Sequence, residues 1–503
     1  MAILRAETTL GVVKGQPAGN QIVSVFKGIP YAQPPVGELR WKAPQPAEPW
    51  QGERECYVFS PIPMQPRRPK DSFYTRSFFP VPLPRSEDSL YLNIWTPAQS
   101  AQERLPVAFW IFGGGYTTGY GNKIEFDGEG FAKRGCVFVD FNYRVGPFGF
   151  MAHPELSAQD ENGVSGNYGL LDQLAALRWV KENIAAFGGD PDQITIFGQS
   201  AGAGSCMCLD CSPLAEGLFQ RAIYESGGGF SVTGIQNLDT LAQAEQRGVE
   251  TLEALGLRDI AAARAMDGEQ LIDQLYSMGR SGDALGFGPN QDGYVLRESI
   301  LDCLISGHNH EVPFMIGCTA NEGYAFEKDV FAQAAHYGDR AEDYLKACGV
   351  SSSHASKAAV DTFGESMFAS CLSWNEFELW RGGKSGYQYY FTKKAPGDDS
   401  GAFHSAEHHY IFQTLERDWR PYDGTDYDLS NLMAEYWANF VKTGDPNGAG
   451  LPRWERFEES GRMMELGSRV GMVEPFLPPN VRFNVDYTLE MMKKKYREFK
   501  RIP

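Results

Sequence analysis

The sequence has 503 residues and a formal net charge of −18, with 42% hydrophobic and 22% charged residues. This acidic balance, without a cluster of lysine and arginine, argues against a nucleic-acid partner, because a phosphate backbone is bound through basic surfaces. The sequence predicts no membrane span, since it lacks a run of about 18 apolar residues, and its first residues lack the apolar core of a signal peptide. Nine scattered cysteines, an odd number, favour free thiols and a cytoplasmic location.

The first 60 residues alternate short β-like runs with turns rich in proline and glycine. Residues 22–26 predict a strand, and residues 27–37 predict a rigid surface connection because they contain three prolines. Residues 61–86 show neither helical nor strand periodicity, and a segment of this kind is usually functional or disordered. Its aromatic side chains predict a packed lid over a pocket. They are Phe73, Tyr74, Phe78 and Phe79.

Apolar strands and a helical pattern alternate in the next part of the chain. Residues 107–111 are apolar throughout, and residues 137–141 are apolar except for Asp140, which indicates strands buried on both faces. Residues 168–186 have helical spacing and end at a Gly-Gly pair followed by a proline. This alternation predicts a mainly parallel central sheet covered by helices on both faces. The other predicted elements are strands at 87–95, 194–197, 222–227, 312–317 and 387–391, a helical cap at 237–285 and an amphipathic helix at 487–500.

The stretch Gly-Gln-Ser-Ala-Gly at 198–202 follows the predicted strand 194–197 and opens a segment of small residues that predicts a helix. A strand, a tight turn and a helix are the context of a nucleophile elbow. The turn strains its central residue, and glycines on either side avoid a clash, so that Ser200 can project its hydroxyl beyond the sheet. The alternative is a glycine-rich turn with a bystander serine, because the motif also occurs by chance.

Six stretches of the chain carry one pattern, in order: Gly-Ile-Pro-Tyr-Ala at 28–32, Glu-Asp-Ser-Leu-Tyr-Leu-Asn at 87–93, Asn-Tyr-Arg at 142–144, Phe-Gly-Gly-Asp-Pro at 187–191, Phe-Gly-Gln-Ser-Ala-Gly at 197–202 and Thr-Gly-Asp-Pro-Asn at 443–447. Together they resemble type-B carboxylesterases, the cholinesterase-like branch of the α/β-hydrolases, and its bacterial para-nitrobenzyl-esterase-like members. The resemblance implies one α/β-hydrolase domain over residues 1–503, with a loop insertion at 61–86 and a cap at 237–285. It also implies hydrolysis of carboxylic esters without a cofactor or metal.

The resemblance also implies the other two members of a catalytic triad. The family's acid matches Glu322 in Asn-Glu-Gly, and its histidine matches His404 in Gly-x-x-His-x-x-Glu. The order Ser200, Glu322, His404 is that of the α/β-hydrolases. In such a triad the imidazole takes the serine proton, and the carboxylate fixes the imidazole tautomer and stabilises its charged form. The alternatives are a structural charge at Glu322 and an ordinary loop histidine at His404.

The glycines at 113–115 resemble the family's oxyanion loop. The backbone N–H groups of Gly113, Gly114 and Ala201 would then face the oxyanion, and each donor of this type is worth about 3 kcal/mol. The family usually has a histidine before these glycines, whereas this chain has Phe112, a candidate substrate contact. Ser89 stands where secreted relatives have a cysteine, so their first disulfide cannot form here.

Two other functions are compatible with parts of the sequence. His404-Ser-Ala-Glu407-His408 is also the inverted zinc-peptidase motif, in which the two histidines would share a helix face. That hypothesis requires a third ligand that the sequence does not mark, and it leaves the serine elbow unexplained. A non-catalytic interaction protein is the second alternative, since some members of the family have lost the serine. The presence of the whole triad favours the enzyme.

The sequence also predicts a substrate preference. Relatives that hydrolyse choline esters bind the ammonium group over a tryptophan before the strand at 87–95, and this chain has no tryptophan between Trp50 and Trp95. The segment contains four arginines instead, which would repel a cationic alcohol. We therefore expect neutral or acidic small-molecule esters with short-chain or aromatic acyl groups, and a monomer or homodimer. The arginines are Arg67, Arg68, Arg76 and Arg85.

Overall fold

The computed structural model describes residues 2–277, 286–326, 329–350 and 360–500. The chain divides into two compact units. The first consists of Met1–Phe197, Cys208–Gln220 and Leu238–Ser299, and the second of Gly198–Met207, Arg221–Asn237 and Ile300–Pro503. The expectation of one domain over residues 1–503 stays a prediction.

The strands follow the apolar runs of the sequence, with boundaries that shift by a few residues. They are β1 (Arg5–Thr8), β2 (Gly11–Lys14), β3 (Gln16–Pro17), β4 (Ser24–Pro30), β5 (Glu53–Glu55), β6 (Ile62–Pro63), β7 (Arg85–Ser86), β8 (Tyr91–Thr96), β9 (Leu105–Ile111), β10 (Val137–Phe141), β11 (Gly189–Gln199), β12 (Arg221–Glu225), β13 (Asp239–Thr240), β14 (Asn290–Gln291), β15 (Phe314–Thr319), β16 (Tyr387–Phe391), β17 (Met463–Leu466) and β18 (Val470–Val473).

The helices of the described residues vary from one turn to twenty-one residues, and none is long and apolar enough to cross a membrane. They are α1 (Phe73–Phe78), α2 (Glu129–Ala132), α3 (Gly146–Phe150), α4 (Pro154–Ser157), α5 (Tyr168–Asn183), α6 (Ala201–Asp210), α7 (Leu241–Ala254), α8 (Ile260–Ala265), α9 (Gly268–Ser277), α10 (Ile300–Ser306), α11 (Val330–Ala335), α12 (Ala341–Ala347), α13 (Thr362–Arg381), α14 (His408–Ile411), α15 (Gly424–Thr443), α16 (Phe457–Ser460) and α17 (Pro479–Phe499).

The main sheet of the first unit has the strand order β11-β9-β10-β8-β4-β3. Strands β9 and β10 are parallel, with Val107 opposite Val137, and the pairs β10–β8, β8–β4 and β4–β3 are antiparallel. Strand β4 continues to Pro30, and Ile29 is fully buried. The predicted surface connection at 27–37 is therefore wrong for its first four residues. Proline is tolerated on an edge strand, and β3 pairs with β4 only at Ser24 and Val25.

Four parallel strands, in the order β12-β15-β16-β17, form the sheet of the second unit, and β18 adds an antiparallel edge. The residues of β15 are all buried, as expected for a parallel strand covered on both faces. The chain leaves β11 at Gln199 and turns directly into α6. The carboxyl end of this strand, where ligands bind in open α/β sheets, is therefore followed at once by Ser200.

The insertion at 61–86 has more regular structure than its sequence indicates. Residues Phe73–Phe78 form α1, because the side chain of Ser72 accepts a hydrogen bond from the N–H of Thr75 and caps the helix. The expectation of a loop without helical structure is therefore wrong for residues Phe73–Phe78. The side chain of Gln65 holds the segment in place through two hydrogen bonds of 2.9 Å to the N–H and carbonyl of Gly119. A lid function of the segment stays a prediction.

The cap region at 237–285 contains the expected helices α7, α8 and α9, while residues 278–285 lie outside the described residues. The C-terminal helix α17 begins at Pro479 rather than at residue 487. A proline in the first turn of a helix costs no hydrogen bond, because the N–H groups there have no partner within the helix.

A buried ion pair fixes the segment after β10. The backbone N–H and two guanidinium nitrogens of Arg144 donate to the carboxylate of Asp172 on α5, at 2.7 to 3.0 Å. A further guanidinium nitrogen of Arg144 donates to the carbonyl of Lys42 at 2.8 Å. Both charged side chains are buried, so the pair depends on this complete set of hydrogen bonds.

We expect Asp172→Asn to lower the free energy of unfolding by about 3 to 5 kcal/mol, because it leaves the buried Arg144 cation without a carboxylate. Chemical denaturation of the purified variant measures this change. The matched control is Glu182→Gln on the exposed face of the same helix, for which we expect a change within about 0.5 kcal/mol. Equal stability of the two variants would contradict this account of Arg144.

Candidate active site

Ser200 sits at the turn between β11 and α6 in a left-handed backbone conformation, with φ of 58°. This conformation is uncommon for a residue with a side chain and is typical of functional turns. The N–H of Ser200 donates a hydrogen bond of 2.8 Å to the carbonyl of Glu225 at the end of β12. A side chain at position 227 would place its Cβ 2.3 Å from the carbonyl oxygen of Ser200, so Gly227 allows the turn to fit.

Asn321 joins the loop that carries Glu322 to the loop that carries His404. Its N–H donates to the carbonyl of Ala402, and its side-chain oxygen accepts from the N–H of Ala402, both at 2.9 Å. Gly401 has a φ of 66°, and a Cβ there would lie 2.2 Å from the same side-chain oxygen. The glycine of the Gly-x-x-His pattern is therefore required by this close approach.

Glu322 and His404 are in direct contact, as the resemblance implies. Nδ1 of His404 donates to Oε2 of Glu322, and both side chains are buried. The other carboxylate oxygen accepts from the N–H of Thr319 at 2.7 Å, which fixes its orientation. A carboxylate at Nδ1 leaves Nε2 as the basic nitrogen of the imidazole.

Three side chains around the imidazole were not identified from the sequence. The amide of Gln199 donates to Nε2 of His404 at 3.2 Å, and its oxygen accepts from the hydroxyl of Ser405 at 3.0 Å. The rings of Phe326 and Phe363 contact the imidazole edge-to-face at 5.3 and 5.4 Å. Gln199 could have been found as the neighbour of the predicted nucleophile, whereas nothing in the sequence marks the two phenylalanines.

The glycine loop lies in the first unit, where β9 ends. Gly114 has a φ of 126°, and a Cβ there would lie 2.0 Å from the carbonyl oxygen of Thr118, so glycine is required. The ring of Phe112 is fully buried and stacks on Tyr143 at 4.1 Å. The hydroxyl of Tyr143 also donates to the carbonyl of Phe112 at 2.7 Å. Tyr143 thus supports the loop, and the roles of Gly113, Gly114 and Ala201 as oxyanion donors stay predictions.

Three of the four aromatic residues of the insertion, Phe73, Tyr74 and Phe78, form a continuous group in the first unit. Phe73 contacts Tyr74 at 5.2 Å, and Tyr74 contacts Phe78 at 6.1 Å. Phe79 ends α1 and contacts Tyr120 at 5.8 Å. Phe78 is buried, whereas the other three are partly exposed. Contact of these residues, and of Phe112, with a substrate stays a prediction.

The structure does not support the zinc motif. His404 lies in a turn, and α14 begins only at His408, so the expectation that the two histidines share a helix face is wrong. The contact with Glu322 keeps the His404 ring in the loop. Within residues 2–277, 286–326, 329–350 and 360–500, no three histidine, cysteine or acidic side chains are grouped so that they could hold a metal ion.

The comparisons with known proteins agree on one family. The sequence model of the carboxylesterase family matches residues 3–359 and 342–483 of this chain. The chain is 37% identical to fumonisin B1 esterase of Sphingopyxis macrogoltabida, over 90% of this chain and 85% of the relative. It is 36% identical to para-nitrobenzyl esterase of Bacillus subtilis, over 90% of this chain and 93% of the relative.

Solved structures show the same relationship. A thermophilic PNB esterase superposes with a TM-score of 0.80 and 32% identity, over 93% of this chain and 97% of that structure. A carboxylesterase of Geobacillus stearothermophilus gives a TM-score of 0.76 and 33% identity, over 94% and 98% of the two chains. The chain therefore belongs to the carboxylesterase family, has the α/β-hydrolase fold, and is a carboxylic ester hydrolase.

Proposed function

We propose that the protein cleaves esters through an acyl-enzyme on Ser200, with His404 as general base and acid and Glu322 as its partner. The observation that carries the proposal is the buried contact between Nδ1 of His404 and Glu322. It leaves Nε2 free of a proton, which a base that activates a serine requires. The strained backbone of Ser200, held by Glu225, supports its assignment as the nucleophile.

In the proposed reaction, Oγ of Ser200 attacks the ester carbonyl carbon while its proton passes to Nε2 of His404. The imidazolium then gives this proton to the departing alcohol, and a water molecule repeats both steps on the acyl-enzyme to release the acid. In the free protein, Nε2 accepts a hydrogen bond from Gln199. Gln199 must therefore release Nε2 before the serine proton can transfer.

The negative charge that forms on the carbonyl oxygen needs hydrogen-bond donors. We propose the N–H groups of Gly113, Gly114 and Ala201 for this role. The left-handed conformation of Gly114 and the support of the loop by Tyr143 are consistent with it. Fixed donors of this type stabilise the transition state without reorganisation.

Family membership argues against both alternative functions. The relatives with the highest identities given above are named as esterases, and neither name describes a peptidase or an adhesion protein. We propose a cytoplasmic location, which is supported by the odd number of cysteines scattered through the chain. A monomer or homodimer stays the expectation.

The contacts of the insertion support a preference for uncharged esters. The guanidinium of Arg68 lies 4.1 Å from the ring centre of Phe79, and the ammonium of Lys123 lies 4.8 Å from the same centre. Lys123 also lies 5.2 Å from the ring centre of Phe78. Two of the four aromatic faces that could attract a cationic alcohol, those of Phe78 and Phe79, are thus already in contact with the protein's own cations.

Two of the other arginines repel a cationic alcohol less than the sequence indicates. Arg67 and Arg85 both contact the carboxylate of Glu269, at 2.7 Å, which neutralises part of their charge. We therefore propose neutral esters of short-chain or aromatic acids as substrates, with choline esters poor. A para-nitrobenzyl ester is the first probe, because a relative at 36% identity is named for it.

The nucleophile is tested with a serine-directed organophosphonate. We expect one adduct per chain, located at Ser200 by peptide mass spectrometry, and none in Ser200→Ala. This variant should lose about 10⁴-fold or more in kcat, because the hydroxyl and its base act as a unit. EDTA should leave the activity unchanged. Loss of activity with EDTA but not with the phosphonate would support a metal enzyme instead.

The base is tested by separate replacement of the two histidines of the Gly-x-x-His-x-x-Glu-His sequence. His404→Ala should lose about 10³-fold or more in kcat, since Ser200 then has no proton acceptor. His408→Ala is the matched control and should retain most of its activity per folded molecule, as measured with a para-nitrophenyl ester. An essential His408 and a dispensable His404 would contradict the proposed triad.

The substrate preference is tested with butyrylthiocholine and its uncharged carbon analogue, 3,3-dimethylbutyl thiobutyrate. We expect kcat/KM to be no higher for the cation, and higher for the cation in Arg68→Met than in the wild type. Arg67→Met is the control, because this exposed side chain contacts Glu269 rather than an aromatic face. A wild-type preference of about tenfold for the cation, equal to about 1.4 kcal/mol, would contradict the proposal.

A further inference from the structure

Two buried glutamates lie near the Glu322–His404 pair in the second unit and have no part in the reaction proposed above. Glu225 and Glu407 are both fully buried. In the described part of the chain, neither carboxyl group forms an ion pair with lysine or arginine, and each has one oxygen without a hydrogen-bond partner. A buried carboxylate without a cation is strongly unfavourable, so these groups need an explanation.

Glu225 connects the nucleophile to the protein interior. Its backbone carbonyl accepts the N–H of Ser200 at 2.8 Å. Its Oε1 accepts from the indole N–H of Trp437 on α15 at 2.7 Å, and its Oε2 is the oxygen without a partner among the described residues. A change in the position of Glu225 would therefore reach Ser200 through a single hydrogen bond.

Glu407 connects Ser226, the residue that follows Glu225 at the end of β12, to the loop of His404. It lies three residues after His404, and its Oε1 accepts from the hydroxyl of Ser226 at 3.4 Å. Ser226 has a φ of 49°, and its N–H donates to the carbonyl of Gly317 at 2.7 Å. The dipeptide Glu225-Ser226 therefore contacts the elbow on one side and the segment of His404 on the other.

The surroundings of the two carboxyls favour their uncharged forms. Burial raises the pKa of Glu225 to about 8, against a small opposing effect of the Trp437 hydrogen bond. Burial, together with the charges of Glu322 and Glu225, raises the pKa of Glu407 well above its usual range. The other titratable groups that face this cluster are Tyr389 on β16, Cys318 on β15 and Cys371 on α13.

We propose that Glu225 and Glu407 are positioning residues, held as uncharged carboxylic acids, that keep the Ser200 elbow aligned with the His404 loop, where Glu322 contacts the imidazole. The inference rests on the proposed triad. When Glu225 ionises, its charge requires water or a cation that the buried site lacks, so the Glu225-Ser226 segment must move. The Ser200 N–H then loses its acceptor, and the activity falls.

The first test is the pH dependence of kcat/KM with an uncharged ester between about pH 6 and 10. The wild type should lose activity on the alkaline side with a midpoint near 8, the value to which burial raises the pKa of Glu225. Glu225→Gln has the shape of the uncharged acid, so it should keep activity within about threefold at neutral pH and lose the alkaline decline. Glu225→Ala should be less active than Glu225→Gln at every pH.

Glu376→Gln is the matched control. This partly buried glutamate on α13 also has a pKa raised by burial, but it faces Arg482, Asp486 and Lys493 rather than the triad. We expect the control to keep the alkaline decline of the wild type. Circular dichroism at each pH checks that the decline does not reflect unfolding.

The second test is stability, which remains informative if one variant is inactive. With a pKa of 4.5 in the unfolded chain and about 8 in the fold, Glu225 binds its proton more tightly when folded. Stability must then fall as the pH rises between these values. We expect Glu225→Gln to lack this fall, so that its melting temperature exceeds that of the wild type by an amount that grows from pH 5 to about pH 8.

Two results would overturn the proposal. The first is an alkaline decline of activity that is the same in the wild type and in Glu225→Gln. The second is a large loss of activity at neutral pH in folded Glu225→Gln or Glu407→Gln. This loss would show that a charged carboxylate is needed. Labelling of Ser200 by the organophosphonate is measured in every variant. If the wild type is not labelled, the assignment of Ser200 as the nucleophile is contradicted, independently of the role of the two glutamates.

Discussion

One backbone hydrogen bond, from the N–H of Ser200 to the carbonyl of Glu225, secures the turn on which the proposed active site depends. Ser200 has a positive φ directly after a buried strand, a conformation that persists only where the surroundings determine it. The close approach at Gly227 shows how little space the turn leaves. The strain is therefore balanced by contacts within the second unit, which also contains Glu322 and His404.

Buried charges in this protein follow two patterns. Arg144 and Asp172 form a complete pair with several hydrogen bonds, which compensates for their removal from water. Glu225 and Glu407 have no such partner, and burial instead favours their protonated forms. The first pattern stabilises the fold. The second occurs beside Ser200 and also at the buried Glu365, which accepts hydrogen bonds from Tyr344 and Asn480 and has no lysine or arginine partner among the described residues. Burial without a counter-ion is costly, and the role proposed for Glu225 and Glu407 rests on their contacts with Ser200 and Ser226.

The sequence by itself determined the fold class, the family and the order of the motifs. The runs 107–111, which is apolar, and 137–141, which is apolar except for Asp140, became β9 and β10, and only the start of β9 shifted. The elbow motif after such a run indicated a strained turn at Ser200, because local sterics allow glycine neighbours and little else. The order of family motifs singled out Glu322 and His404, which meet in the structure.

Only the tertiary structure decided which side chains surround these residues. Gln199 contacts the imidazole, and Phe326 and Phe363 enclose it, although no local pattern brings segments so far apart in sequence together. Helix α1 depends on a cap at Ser72, and a short capped helix leaves almost no periodicity to detect. Local sterics and hydrophobic periodicity depend on neighbouring residues. Contacts between distant segments, and the burial that raises the pKa of Glu225, arise only when the chain is folded.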